Sequence, residues 1–171
     1  MKLHPGDMIL QNAWSKNKLV NWIFEMQDKI DGGEANHALI FLEGNTFLES
    51  NFPGVRFITL NKIQSDPNYC VRRYVGNMDK LKMKETIREY ARTHKMGYSW
   101  LGLINASIGA ITGKIFGKKL RLLPESPRPY CMELVAEIYE KYGIHFIIHN
   151  DIITPNDGMR SKQFKTIKKF G

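Results

Sequence analysis

At 171 residues, with 43% hydrophobic and 25% charged residues, the chain can bury a core without disulfide or metal staples, and it has the composition of a globular domain rather than a disordered segment. Two cysteines, Cys70 and Cys131, are too few for a disulfide framework and lack CxxC spacing, which favours a reducing compartment. The net charge of +8, from 25 basic and 17 acidic residues, suits an anionic partner such as a lipid surface or a cell-wall polymer, but no zinc-finger spacing or RNA-binding aromatic signature points to nucleic acid.

Met1 to Asp7 carries one basic residue and then His4-Pro5-Gly6-Asp7 where a signal peptide needs an apolar run, so no cleaved signal is expected and the cytoplasm is the default location. Gly6-Asp7-Met8-Ile9-Leu10 reads as a turn entering a strand. Residues 14–29 place Leu19, Trp22, Ile23 and Met26 at helical spacing, and Asp31-Gly32-Gly33-Glu34 forms a loop. Next, Asn36-His37-Ala38-Leu39-Ile40-Phe41-Leu42 and Thr46-Phe47-Leu48-Glu49-Ser50 are two strand-like runs joined by Glu43-Gly44-Asn45, a hairpin signal. With that loop Leu42 opposes Thr46 and Glu49 opposes Leu39. His37 shares a face with Leu39, so Glu49 becomes its diagonal neighbour, roughly 7–8 Å away and within reach of a long side chain. A one-residue slip would send Glu49 to the other face.

Residues 56–60 and 69–75 read as further strands around a turn containing Asp66-Pro67-Asn68, with Cys70 as strand packing. Residues 79–94 form a helix opening with Asp79 and carrying Leu81, Ile87 and Tyr90. A Gly-rich apolar section follows, a helical insert over about 97–121. Its run 101–116 is broken by Asn105, Ser107, Thr112 and Lys114 and is shorter than the ~20 residues that span a bilayer. A surface-seeking piece or a lid would fit it, but an ordinary insert packed on the core is the expectation. Lys114, Lys118, Lys119 and Arg121 cluster at its end.

A Pro-rich connector over 122–128 leads into Arg128-Pro129-Tyr130-Cys131-Met132-Glu133-Leu134-Val135. From Cys131, apolar Leu134, Val135, Ile138 and Tyr142 share one side while Glu133, Glu137, Glu140 and Lys141 take the other, with Gly143 as the stop. Residues 144–148 read as a strand and 151–158 as a loop. A basic tail over about 158–171, with Arg160, Lys162, Lys165, Lys168 and Lys169, closes a single α+β domain.

Cys131 at a helix start, with no Ser, Thr, Asp or Asn before it, leaves first-turn amides that favour a thiolate or an oxyanion. On this stretch alone, packing is the default for a free cysteine. A nucleophilic cysteine needs a base, and the base needs a polar group to orient it; His37 and Glu49 can supply both roles. His4, His94, His145 and His149 have no comparable company. His145 and His149 would need a helix to face together, and Phe146-Ile147-Ile148 argues against one, so no metal or other cofactor is expected.

Gly6-Asp7-Met8-Ile9-Leu10, Asn36-His37-Ala38-Leu39-Ile40 with Glu49, Tyr130-Cys131-Met132-Glu133-Leu134-Val135 and Thr154-Pro155, in that order, resemble the circularly permuted papain-like hydrolases of the NlpC superfamily, in their YiiX-like branch. The resemblance runs from Gly6 to about Asp157. It implies an antiparallel sheet packed against the helix that carries the cysteine, with Cys131 as nucleophile, His37 as base and Glu49 as its orienting group. It also implies cleavage of amides such as peptide or cell-wall stem-peptide bonds. Met132 departs from the family's usual Ser, and the section from 101 to 119 has no counterpart in the pattern. Tyr130 either shapes the oxyanion environment or packs. The competing readings are a lipid-directed thiol acyltransferase or hydrolase and a non-catalytic basic module on the same fold.

Overall fold

The computed structural model describes residues 1–12, 25, 29, 34–51, 53–61, 67–94, 99–117, 128–146, 153–169 and 171. Of the predicted helix at 14–29 only Glu25 and Lys29 fall within these, both helical. The loop at 31–33, Asp66, residues 118–121 of the insert, most of the Pro-rich connector, and residues 147–152 with His149 lie outside the described residues.

Alternation of side chains above and below a pleated strand explains how the sheet is built. Its strands are β1 (Met8–Gln11), β2 (His37–Glu43), β3 (Thr46–Asn51), β4 (Gly54–Thr59), β5 (Tyr69–Tyr74) and β6 (Phe164–Lys168). They pair antiparallel throughout, in the order β4-β3-β2-β1-β5-β6. Met8, Leu10, Ala38, Ile40, Leu42, Leu48 and Cys70 join the main core, whereas Ile9, Leu39, Phe41, Phe47 and Val71 form a second cluster. Burial on both faces is why residues 38–42 are apolar without a break.

The helices are α1 (Lys80–Thr93), α2 (Trp100–Phe116), α3 (Cys131–Tyr142) and the short α4 (Pro155–Arg160). α3 packs on β2 and β3 and against α1, which also reaches β2 and β4. Asp79 caps α1, its Oδ1 accepting from the Leu81 and Lys82 amides at 2.8 and 3.2 Å. α1 buries Met83, Ile87, Tyr90 and Ala91, while Leu81, expected inside, is exposed.

The hairpin register holds where Leu39 faces Glu49, Ile40 faces Leu48 and Phe41 faces Phe47. A bulge then pairs Thr46 with Glu43 rather than Leu42, so the tip is Gly44-Asn45. Three expectations fail near the C-terminus. Residues 144–146 are not a strand. The expected loop ends in α4, where Thr154 Oγ1 accepts from the Asp157 amide at 3.3 Å and Asp157 Oδ2 accepts from the Thr154 amide at 2.7 Å. The basic tail contains β6, held by Arg72, whose guanidinium donates to Thr166 Oγ1 at 2.6 Å and to the Ser161 and Phe164 carbonyls at 2.7 and 2.5 Å. Its lysines suit an edge strand, where charge discourages further pairing.

Candidate active site

α3 begins after Tyr130, the N-cap, which is still extended at φ −89° and ψ 178°. Lacking a short hydroxyl there, the helix recruits Glu133, whose Oε2 accepts from the Tyr130 amide at 3.1 Å. The Tyr130 carbonyl takes the Leu134 amide at 3.0 Å, the first helical bond. Two further ties fix this turn in space: Ser50 Oγ of β3 donates to the Pro129 carbonyl at 2.6 Å, and the Tyr130 hydroxyl donates to the Ile153 carbonyl. Cys131 is therefore the first residue of a helix whose position is set at both sides. At the far end Gly143 adopts φ 96°, a left-handed turn that an L side chain resists. The buried stripe is Cys131, Met132, Leu134, Val135, Ile138 and Tyr139; Tyr139 takes the core place expected for Tyr142.

His37 opens β2, at the end of the sheet beyond the last paired residues of β2 and β3, Leu39 and Glu49. The diagonal reach expected of Glu49 occurs: its Oε2 lies 3.1 Å from His37 Nε2. Its other oxygen, Oε1, accepts from Arg56 Nε at 2.8 Å. Arg56 stands directly opposite Glu49 in the β3–β4 ladder. The same imidazole is also within interaction range of the Cys131 side chain. The structure thus strings Arg56, Glu49, His37 and Cys131 into one chain of contacts.

Electrostatics follow from that order. Burial works against an imidazolium at His37, but hydrogen bonds and charge from Cys131 and Glu49 outweigh it and raise the group to about 10. Burial would likewise raise Glu49, yet the bonds and charges of His37 and Arg56 hold its carboxyl below the ordinary range. The site favours a charged imidazole beside a charged carboxylate. Cys131, His37 and Glu49 are 2%, 8% and 4% exposed, so these charges are poorly screened by water.

Tyr130 is placed beside Cys131, but it is 1% exposed and its hydroxyl is engaged by Ile153, which accords with the packing alternative. Cys70 lies in the main core, where burial pushes its thiol up. His94 stacks on Tyr90, and His145 is exposed with Nδ1 3.5 Å from Glu140. Sequence reasoning missed Arg56, Ser50 and the buried pair in which Arg73 grips both oxygens of Asp7 at 2.7 Å. Asp7 leads into β1 and Arg73 lies on β5, so the pair pins the two strands together at the turn that begins with Gly6.

No family model matches the chain, and no curated protein matches it by sequence. Among solved structures its fold is similar to that of the metalloprotein YiiX from Escherichia coli O157:H7, DUF1105, with TM-score 0.64, 16% identity, and coverage of 99% of this chain and 98% of that one. The likeness is one of fold, and it agrees with the YiiX-like branch. The residues here do not fit a metal: among the described residues no group of three or more His, Cys, Asp or Glu side chains could hold one. His37 and Glu49 point donor atoms at each other, and Arg56 occupies the remaining carboxylate oxygen, so they share no common centre.

Proposed function

We propose that this chain is a cysteine hydrolase with a permuted papain-like arrangement, in which the base-bearing hairpin precedes the thiol-bearing helix. Its substrate is an acyl compound with an amide bond of the peptide or cell-wall stem-peptide class. One observation carries the reading: a single buried imidazole bridges the Cys131 side chain and Glu49.

Such a site works by holding a thiolate and an imidazolium as a pair. The Cys131 sulfur attacks the carbonyl carbon, and the resulting oxyanion is met by the Cys131 amide at the positive end of α3. As the C–N bond breaks, His37 gives its proton to the departing amine, leaving a thioester. Water then attacks that carbonyl and His37 takes its proton; the C–S bond breaks and the thiolate–imidazolium pair is restored. Glu49 keeps the ring oriented and its charge compensated throughout, the role of the third member of a triad. Tyr130 acts at one remove, by holding the start of α3.

Labelling with iodoacetamide near neutral pH, followed by peptide mapping, tests the thiol assignment. Cys131 should be modified well before Cys70, and His37→Ala should slow it strongly. Modification of Cys70 alone, with Cys131 inert, would sink the reading.

A further inference from the structure

We infer that the outward face of α2 docks this protein on an anionic lipid surface. The first observation is which side chains α2 hides. Among those described, Asn105, Ser107 and Thr112 are 3%, 4% and 9% exposed, together with buried Gly102 and Gly109, while Ile104, Ile115 and Phe116 are 37%, 66% and 67% exposed. Ile108 and Ile111 are half-buried. At ~100° per residue, Ile104, Ile108, Ile111 and Ile115 fall within roughly 60° of one another, a single stripe about 16 Å long. A water-facing helix puts its polar residues outside; the described side chains of α2 have this reversed.

The second observation concerns what covers that stripe. α2 is too short to cross a bilayer, since no helix among the described residues is long and apolar enough to do so. An isoleucine stripe lying in the membrane interface needs no shape-matched groove, only acyl chains below it. The charge that follows in the sequence decides between lipid classes: Lys114, Lys118, Lys119 and Arg121 lie close together in sequence, in a chain of net charge +8. Cationic residues that close to an apolar stripe in the sequence complement anionic headgroups, and they oppose pairing with a second copy that brings the same charge.

Docking requires no bond to be made or broken, so Cys131→Ala full-length protein tests it independently of the thiol chemistry. Co-sedimentation with vesicles of phosphatidylcholine and phosphatidylglycerol should be strong at low salt, weaker at high salt, and weak throughout with phosphatidylcholine alone. Ile115→Ser with Phe116→Ser should reduce partitioning about tenfold or more. The thermal melt should stay unchanged, because both side chains are already exposed. No sedimentation with the anionic vesicles at low salt would overturn the inference. So would binding that survives the double substitution, or a dimer that the same substitution dissociates in the absence of vesicle binding.

Discussion

α3 hides Leu134, Val135 and Ile138 and presents Glu140 and Lys141 to water, whereas α2 hides Asn105, Ser107 and Thr112 and presents Ile104, Ile115 and Phe116. Both helices touch Tyr130, one because it begins there and the other because Gly102 lies against its ring: a Cβ at Gly102 would sit 2.7 Å from Tyr130 Cδ1. α3 is therefore held by apolar burial against the sheet, and that burial positions its first residue beside His37. Among its described side chains α2 leaves Ile104, Ile115 and Phe116 exposed, the face inferred above to meet lipid. Among the described residues, a helix held by apolar burial thus sits beside one whose polar side chains lie inward.

The strongest way to sharpen this contrast is at the α3 end. Glu49→Gln keeps the shape but leaves His37 without its carboxylate, so hydrolytic turnover should fall by up to about 10⁴-fold, and an NMR titration of His37 should move down from about 10. An unchanged His37 titration would break the link between these two residues. Of smaller consequence, Leu134→Ala should cost ~2–5 kcal/mol in denaturant unfolding, because Leu134 is fully buried, while Ile104→Ser should stay within ~0.5 kcal/mol. Comparable losses at both positions would mean that α2 packs as α3 does.

The smallest expected effect is on the pH dependence of stability. His37 is raised on folding, so its contribution is complete below about 6.5, its ordinary value, and is lost as pH climbs through about 10. Glu49 is lowered on folding, so its contribution is complete above 4.5 and is lost as pH falls through the depressed value. Stability should fall at both extremes. Cys131→Ala, by removing one cause of the His37 shift, should flatten the alkaline decline, while Ile104→Ser should leave both limbs in place. Denaturant melts across pH report this directly.

Much of the site was legible because a hairpin is arithmetic: a three-residue loop at Glu43-Gly44-Asn45 and strict alternation put Glu49 diagonal to His37, and although the tip is Gly44-Asn45, the bulge between Phe41 and Glu43 makes up the one-residue difference and restores that pairing. The same arithmetic through the turn after Asn51 would have found Arg56 opposite Glu49. α4 was also within reach, since Thr154-Pro155-Asn156-Asp157 is a capping box with proline in the first turn, but the turn-forming residues masked it. β6 was hidden by its lysines, which mark an edge strand as readily as a solvated tail. A surface-seeking role for α2 was among the readings of its apolar run, but which side chains face outward was not legible, because Asn105, Ser107 and Thr112 are buried there against the rule that polar side chains stay outside.

The bond from Ser50 to the Pro129 carbonyl joins positions 79 residues apart. His37 and Glu49 stand far ahead of Cys131 in the sequence, and nothing local can bring them together. A chain that stops short of α3 carries the His37–Glu49 hairpin without Cys131, so the three side chains meet only when α3 has folded back onto β2 and β3.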